Sequence, residues 1–287
     1  MSGAAFRSTD RDMEFAFDAS DHAAIASFAY SEAGIVLPPG KSQLVYGRLV
    51  RRVRACGLPG FKDYIALLGT DREERQQAID ALTTNHTSFF RESHHFDHFM
   101  GEVWPVLEER LMRGGRVRLW SSASSSGEEP YTWIMAILGK NRGALQNLTR
   151  RDFKMLATDL STDILAAARA GRYSRETART VPGELRNAWM QRTDDGAEIR
   201  ADVRALIAFR QLNLLRDWPM RQKFDAIFCR NVMIYFDEET KAKLQSRLAD
   251  HLEPGGFLYI GHSERLADSV APRFKNLGRT MFQKVAK

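Results

Sequence analysis

The sequence predicts an α/β protein in two parts, a small N-terminal helical bundle followed by a domain of alternating strands and helices. The length of 287 residues suggests two domains. No strand pattern occurs before residue 115, whereas short apolar runs alternate with helical patterns after it. Charged residues make up 27% of the chain and no apolar run approaches about 18 residues, so we expect a soluble protein without a membrane span.

The N-terminal part contains a series of helical patterns. Asp18 or Ser20 can cap the first helix, and Gly34 breaks the chain after it. The predicted helices run from there to Tyr30, from about Gly40 to Gly57, over Phe61–Leu68 and over Arg72–Leu82. We therefore assign residues 1–82 to an N-terminal helical domain.

The second of these helices has an unusually basic surface. Its predicted apolar stripe consists of Leu44, Val45, Leu49 and Val53. The basic residues lie mostly off that stripe: Lys41, Arg48, Arg51, Arg52 and Arg54. Five basic residues without an acid exceed what solubility requires, and the net charge is +6 with a pI near 9.4. This basic ridge predicts an acidic partner, which composition alone leaves open as nucleic acid, anionic membrane or acidic protein.

The N-terminal sequence and the cysteines indicate the cellular compartment. Met1–Asp18 has no apolar core of a secretory signal, so we expect a cytoplasmic protein. Cys56 and Cys229 are far apart and form no C-x-x-C motif, which argues against a disulfide framework or a zinc cluster. His94 and His98 share a helical spacing but lack an H-E-x-x-H motif, so we predict no metal site.

A polar junction follows the helical bundle. Residues 83–91 are rich in side chains that compete for backbone hydrogen bonds, which favours a loop. Phe89 and Phe90 are unusual in a linker and suggest packing against the second domain. We therefore interpret residues 83–100 as a linker that presents polar groups to the cleft of that domain, which then occupies residues 101–287.

The second domain opens with a serine-rich turn between a strand at 117–120 and a helix at 131–138. The G-x-G-x-x-G pattern of dinucleotide folds is absent. Glu128 and Glu129 begin the helix, where a pyrophosphate would need positive charge, so an anionic cofactor is disfavoured. A cofactor with cationic groups and a ribose, such as S-adenosylmethionine, suits this turn better. The alternative is that the two acids merely complement the helix dipole.

The remaining elements continue the alternation. A strand over Asp152–Leu160 brings Asp159 to its end, where nucleotide folds bind ribose hydroxyls, although Asp159 could equally be an N-cap. Ser161 or Thr162 caps the helix that Gly171 ends. Further strands are predicted over Ala208–Leu212, Phe224–Arg230 and Gly256–Ile260, with a terminal antiparallel pair in 273–285 that turns at 276–278. The turn at 192–196 indicates a small inserted β element within about 181–207.

Several short motifs occur along the chain in the order that is typical of one protein family. They are N-H-T-S-F-F-R from Asn85 to Arg91, S-G-E-E-P-Y from Ser126 to Tyr131, A-T-D ending at Asp159, N-L-L from Asn213, and F-D-A-I-F-C-R-N-V-M-I-Y-F from Phe224 to Phe236. Together they resemble the chemotaxis receptor glutamate methyltransferases, the CheR family. The resemblance covers nearly the whole chain and implies a Rossmann-like, S-adenosylmethionine-dependent methyltransferase domain.

The resemblance also implies partners and site residues. The acceptor would be a glutamate on the cytoplasmic helical domain of a membrane chemoreceptor, giving a γ-methyl ester and S-adenosylhomocysteine. The implied cofactor site consists of Asn85, Thr87, Arg91, Glu129, Asp159, Asn213, Leu214, Arg230 and Asn231. Arg91 and Tyr235 would lie nearest the transferred methyl and are the catalytic candidates. We expect a monomer that neither binds nucleic acid nor inserts into the membrane.

The basic ridge is a predicted docking surface, whereas the inserted β element is not. Arg48, Arg51, Arg52 and Arg54 could steer and dock an acidic receptor surface. Some family members grip a C-terminal receptor peptide with the inserted β element. Here the turn is compact and carries Asp194 and Asp195 instead of a glycine-rich loop, so we do not extend that tethering role to this chain.

The chemistry is consistent with a glutamate acceptor. A glutamate of pKa about 4.3 is already ionised at neutral pH, so no general base is needed and the task of the enzyme is positioning. A nucleic-acid methyltransferase would also explain the basic charge, but the segment from Asn231 to Tyr235 lacks the Pro-Pro geometry of amino-group enzymes. A noncatalytic adaptor that senses the cofactor is a further alternative, which a labelled-donor assay would separate from an enzyme.

Overall fold

The computed structural model describes residues 14–83 and 86–286, and the chain divides into two compact units at residues 84 and 85. The N-terminal unit is helical. Its helices are α1 Ala19–Ala33, α2 Ser42–Ala55, α3 Phe61–Thr70 and α4 Arg72–Leu82. Asp18 caps α1 with a capping box, because its carboxylate accepts from the backbone N–H of Ser20 and Asp21 while Asp21 reciprocates. Gly34 ends α1 with a left-handed φ of 68°.

Helix α2 buries a narrower stripe than the sequence predicted. Val45, Leu49 and Val53 are fully buried in the N-terminal core. Leu44, which we placed on the same stripe, is 44% exposed. The three buried residues are spaced four apart, whereas Leu44 is displaced from them by about 100° around the helix axis. The prediction for Leu44 was therefore wrong.

The second unit is organised around a seven-stranded sheet of order β6-β2-β1-β7-β8-β10-β9. The strands are β1 Arg116–Ser121, β2 Asp152–Asp159, β6 Ile207–Gln211, β7 Phe224–Cys229, β8 Leu252–Ile260, β9 Phe274–Gly278 and β10 Met281–Lys284. The five strands from β6 to β8 are parallel, and β10 and β9 add antiparallel. The chain leaves β1 towards β2 on one side and reaches β7 on the other, so the carboxyl end of β1 is a topological switch point, where α/β sheets bind ligands.

The helices of this unit begin inside the segment we predicted as a linker, because residues 93–100 are helical whereas residues 86–92 form loop and turn. They are α5 Ser93–His98, α6 Trp104–Met112, α7 Glu128–Leu138, α8 Arg142–Thr149, α9 Thr162–Ala170, α10 Arg175–Arg179, α11 Gly183–Trp189, α12 Ala201–Arg204 and α13 Glu238–His251. A π-helical turn, Phe99–Val103, joins α5 to α6, so residue 100 lies inside a continuous helix and is not a boundary. Phe89 is buried in the core of this unit, as expected from the Phe pair.

The inserted β element is a three-stranded sheet of order β3-β5-β4. Its strands are β3 Arg172–Ser174, β4 Met190–Arg192 and β5 Gly196–Ile199. The hairpin turns after Arg192 as predicted, but β3 lies before the predicted range of 181–207. A strand of three residues directly after Gly171 is too short to show an alternating pattern.

Two further observations complete the fold. The terminal hairpin turns at Arg279 and Thr280, whose φ angles are 48° and 64°, and not at 276–278 as the glycine suggested. Positive φ at both central residues is the geometry that tight hairpin turns require. Across residues 14–83 and 86–286, no helix combines the length and apolarity needed to cross a bilayer.

Candidate active site

The serine-rich turn after β1 is bound closely to the neighbouring strands. The backbone N–H of Ser122 donates to Phe228 O at 2.9 Å, and that of Ser124 donates to Thr158 O at 2.9 Å. Gly127 precedes α7 with φ 96°, and a Cβ there would lie 3.0 Å from the Tyr173 hydroxyl. Only glycine fits this backbone, which accounts for the single glycine of the turn.

Glu129 points into the strand ends and is held there by two donors. Its side chain is 11% exposed, and its carboxylate accepts from Ser121 Oγ at 2.7 Å and from Arg230 Nη1 at 2.8 Å. Burial raises the pKa of Glu129, and the Arg230 charge and the Ser121 hydrogen bond oppose that rise. Glu128 is also buried and accepts from Ser126 Oγ at 2.7 Å. The two acids therefore do more than complement the dipole of α7.

Arg230 follows β7, and its guanidinium is committed to protein groups. The side chain is 2% exposed and forms ion pairs with Glu92 and Glu129. It also donates to the backbone carbonyl of Arg91. We predicted Arg230 as a cofactor-binding residue. In the structure its side chain binds two carboxylates and the neighbouring backbone, and its contact with the cofactor stays a prediction.

Two carboxylates of this region were missed by sequence reasoning. Glu92 has a left-handed φ of 57° and receives the backbone N–H and the Nδ1 of His262 on Oε1, at 3.1 and 2.9 Å. Glu264 is buried and accepts backbone N–H groups of Asn231, Met233 and Gly261 at 3.2, 2.8 and 2.5 Å. Their partners are distant in sequence, and the only local signal was an acid directly after Arg91.

Asp159 ends β2 as predicted and orders two adjacent loops. Its Oδ2 accepts from the backbone N–H of Ser125 at 2.8 Å, and its Oδ1 accepts from that of Ser161 at 3.1 Å. Ser161 caps α9, so Asp159 is not the N-cap of that helix. The Asp159 carbonyl accepts from Leu212 N at 2.9 Å, which joins this strand end to the segment after β6.

The other predicted cofactor residues lie in loops that follow the strands. Asn213 forms a turn in which its Oδ1 accepts from Leu215 N at 2.9 Å, and Leu214 is buried beside it. Asn231 has a left-handed φ of 60°, directly after Arg230. Thr87 is half-buried, in the segment that leads to Phe89. Asn85 lies outside the described residues.

The two catalytic candidates come from different segments. Arg91 is half-buried and its Nη1 donates to His86 O at 3.1 Å, while its carbonyl is bound by Arg230. Tyr235 is half-buried and ends a short 3₁₀ helix, Met233–Tyr235, after the Asn231 loop. Its neighbour Ile234 is 51% exposed. The backbone carbonyl of Arg91 thus binds the Arg230 side chain. Tyr235 lies in the segment after β7, the strand that Arg230 also follows.

The residues at these strand ends fit S-adenosylmethionine. Buried carboxylates, above all Glu129, suit a cationic group, and Asp159 has the position at which such folds bind ribose hydroxyls. Ser124 Oγ is buried in the turn without a hydrogen-bond partner among the described residues, so the turn retains polar capacity. Over residues 14–83 and 86–286, no three His, Cys, Asp or Glu side chains are grouped to hold a metal.

The basic ridge on α2 is less free than the sequence suggested. Arg52 forms a bidentate ion pair with Glu74, which also accepts from the Tyr64 hydroxyl at 2.7 Å. Arg54 pairs with Glu14 at the surface, and half-buried Arg48 donates to the Leu82 carbonyl. Arg51 is exposed, and no partner for it occurs among the described residues. Arg52 is therefore paired within the bundle, and its docking role stays a prediction.

The inserted sheet carries a separate cavity of about 450 Å³. Its lining includes the arginines Arg175, Arg179, Arg186 and Arg192. The charge of the cavity is therefore basic, although the turn beside it carries Asp194 and Asp195. A titration with an acidic C-terminal receptor peptide tests our expectation that this insertion has no tethering role.

Two family models match the chain in sequence order. The "CheR methyltransferase, all-alpha domain" matches residues 20–83, and the "CheR methyltransferase, SAM binding domain" matches residues 85–282. These ranges agree with the helical unit and the sheet unit of the structure. S-adenosylmethionine is accordingly the cofactor of the second unit.

Curated relatives are similar over most of their length. A probable chemotaxis protein methyltransferase of Rhizobium etli is 43% identical over 90% of this chain and 97% of its own. The chemotaxis protein methyltransferases of Klebsiella aerogenes and Escherichia coli are 40% and 38% identical, each over 90% of this chain and over 87% and 88% of their own. With both domains matched and identities well above 30%, the chain belongs to the CheR methyltransferase family.

Proposed function

We propose that this protein methylates glutamate side chains of chemoreceptors and so adapts chemotactic signalling. The observation that carries the proposal is the carboxylate cluster at the carboxyl ends of the parallel strands, with Glu129 held by Arg230 and Asp159 ordering the adjacent turn. The names of the curated relatives, chemotaxis protein methyltransferases, support the class of acceptor.

The reaction needs no proton transfer. When bound, S-adenosylmethionine would supply a methyl group to an oxygen of the acceptor carboxylate and would leave as S-adenosylhomocysteine, so the product would be a methyl ester. Because the acceptor is already anionic at neutral pH, the side chains of this protein have to desolvate it and hold it about 3–3.5 Å from the methyl carbon. The reaction therefore requires no general base.

Arg91 and Tyr235 are proposed to position the acceptor. Both side chains are half-buried and present hydrogen-bond donors, and both belong to segments attached to the end of β7. A grip tight enough to quench the carboxylate would slow the reaction, so Arg91 orients the acceptor or the cofactor without burying the charge of the acceptor. The residues proposed to contact the cofactor are Asn85, Thr87, Arg91, Glu129, Asp159, Asn213, Leu214, Arg230 and Asn231.

Two substitutions test these positioning roles. Tyr235→Phe removes one hydroxyl, and we expect kcat/KM for receptor methylation to fall about tenfold while the Kd for S-adenosylhomocysteine stays constant. Arg91→Ala should lower kcat/KM by about a hundredfold and also weaken cofactor binding. Initial rates with labelled donor and isothermal calorimetry provide the two readouts.

Tyr30→Phe is the matched control, because Tyr30 is exposed on α1 of the N-terminal unit and the variant should behave as wild type. If Arg91→Ala and Tyr235→Phe both retain kcat/KM with normal cofactor binding, the assignment is wrong.

The finer features of the partner are also proposed. The acceptor glutamates lie on an acidic, helical cytoplasmic region of the receptor, and the arginines of α2 steer that region to the enzyme. We further propose that the protein works in the cytoplasm as a monomer and does not bind nucleic acid.

A further inference from the structure

A buried side chain, Glu264, binds the backbone of the loop that carries Tyr235. Glu264 is 6% exposed, although it lies in the loop segment after β8. Its Oε1 accepts from Met233 N at 2.8 Å, and its Oε2 accepts from Asn231 N at 3.2 Å. Met233 begins the 3₁₀ helix that ends at Tyr235. The hydrogen bonds of Glu264 therefore fix the backbone from which the Tyr235 side chain projects.

The segment that contains Glu264 is shaped to receive this loop. Oε2 of Glu264 also accepts from Gly261 N at 2.5 Å, and the backbone N–H of Glu264 donates to Gly261 O at 2.9 Å. A Cβ at Gly261 would lie 2.8 Å from Asn231 N, so a side chain there would push the two segments apart. Glycine at this position therefore permits the close approach that brings Asn231 N to Glu264.

Gln245 of helix α13 anchors the residues that follow Glu264. Its side chain is fully buried, its Nε2 donates to Arg265 O at 2.8 Å, and its Oε1 accepts from Ala267 N at 2.7 Å. The same Nε2 lies 3.5 Å from the sulfur of Met233. Because a long helix fixes this segment, Glu264 has a defined position from which it can hold the loop after β7.

We propose that Glu264 is a positioning residue for methyl transfer, which places the Tyr235 hydroxyl where it orients the acceptor carboxylate. The inference rests on the proposed function, in which Tyr235 positions the acceptor. Glu264 acts through the backbone of the Asn231–Tyr235 loop and is not itself a catalytic residue. A displacement of about 1 Å in a positioning group can lower a rate by about a hundredfold, so a small shift of this loop is measurable.

A double-mutant cycle with Tyr235 tests this role. Glu264→Gln keeps the size of the side chain but replaces one accepting oxygen by an NH₂ donor, so at least one backbone N–H loses its partner. At saturating S-adenosylmethionine we expect this variant to lower kcat/KM for the receptor about tenfold. In the Tyr235→Phe background the same substitution should lower it less than about twofold, because the displaced hydroxyl is already absent.

The cycle separates positioning from loss of structure. A Glu264→Gln variant that is only less stable would lose the same factor in both backgrounds, because unfolding removes active enzyme whether or not the hydroxyl is present. If Glu264→Gln fails to fold, Glu264→Asp carries the same cycle. Asp keeps both accepting oxygens on a shorter side chain, so it should shift the loop and show the same dependence on Tyr235.

Asp225→Asn is the matched control. Asp225 is also a buried carboxylate that accepts a backbone N–H, from Arg118 at 2.7 Å, but it lies near the start of β7, whereas the Tyr235 loop follows the end of that strand. For folded protein, kcat/KM should match the parent protein in both backgrounds.

The outcomes distinguish this inference from the proposed function. Equal factors in the two backgrounds, no effect of either Glu264 variant, or a fully active Tyr235→Phe variant would overturn the inference and leave receptor methylation intact. A wild-type protein that methylates no receptor overturns the proposed function itself.

Discussion

The carboxylates at the strand ends differ in what holds them, and this difference decides what each can do. Glu264 accepts three backbone N–H groups from two segments, residues 231–233 and Gly261, so it fixes loop geometry. Glu92 and Glu129 share Arg230, and Glu129 alone of the two begins a helix beside the serine-rich turn. Glu129 begins the helix after the serine-rich turn and Asp159 accepts a hydrogen bond from that turn, so we expect these two acids to lie nearest a bound ligand.

Two of these buried groups make the stability of the sheet unit depend on pH. Burial, together with the charge of Arg230, lowers the pKa of His95 to about 3. Burial disfavours the charge of Glu92, but Arg230 and His262 outweigh it and lower its pKa to about 2. In both cases the unfolded chain binds more protons, so stability rises with pH through these windows.

We expect the contribution of His95 and Glu92 to the free energy of unfolding to be complete above about pH 6.5 and to be lost as the pH drops towards 3. Glu128, Glu129 and Glu264, whose pKa values burial raises, contribute in the opposite direction. Titration of His95 contributes a slope of up to about 1.4 kcal/mol per pH unit, and Glu92 adds to it below about pH 4.5. Urea unfolding followed by tryptophan fluorescence measures this, because all five tryptophans lie between residues 104 and 218 of the sheet unit.

The variant His95→Gln removes one of the titrating groups. Its slope between pH 6.5 and 4.5 should be shallower than that of wild type, even if the variant is less stable overall. Equal slopes in the two proteins would show that His95 does not carry the pH dependence.

Sequence reasoning found residues whose role depends on their own segment. Glu129 and Asp159 were found because a helix start and a strand end can be predicted locally. Glu92 and Glu264 were missed because their partners lie up to 170 residues away in the chain. Arg230 was placed at the site by resemblance, but its burial between two acids required the tertiary structure.

Ion pairs formed by the arginines of helix α2 change the effect that we expect from charge-reversal variants in this helix. Reversal of Arg52 would break its ion pair with Glu74 and place two acids together, so it would test stability as much as docking. Exposed Arg51 is the cleaner probe. We expect Arg51→Glu to raise the KM for receptor methylation severalfold at low salt, with a smaller effect at high salt because the charges are screened.

Arg150→Glu is the matched control, an exposed charge reversal at the end of α8 in the other unit. Both variants should bind S-adenosylhomocysteine like wild type. If Arg51→Glu methylates receptors with unchanged KM at every ionic strength, the docking role of the basic ridge is wrong.

Most of the helices and strands could be predicted because their patterns are long or have clear ends. Strand β2 and helix α9 begin and end within a few residues of the prediction, since Ser161 and Gly171 mark the helix limits. Strand β3 and the turn at Arg279 and Thr280 were missed, because three residues carry no period and neither turn residue is a usual choice for positive φ.

The change of pattern and the polar junction predicted a helical domain that ends at residue 82, and the structural division falls at residues 84 and 85. The structural division at residues 84 and 85 precedes the first strand by a helical segment, α5 to α6, that belongs to the sheet unit. That segment is continuous through a π-helical turn, and helical periodicity alone cannot assign it to either unit. The +6 charge likewise indicated an acidic partner without identifying it.

The most direct test is to supply the protein with methyl-labelled S-adenosylmethionine and membranes that contain candidate chemoreceptors. Mass spectrometry of the digested receptors then locates the label. We predict base-labile methyl esters on glutamate side chains of the cytoplasmic helical region, and none when S-adenosylhomocysteine is in excess. Label on nucleic acid or on amino groups, with no ester on any receptor, would contradict the proposed function.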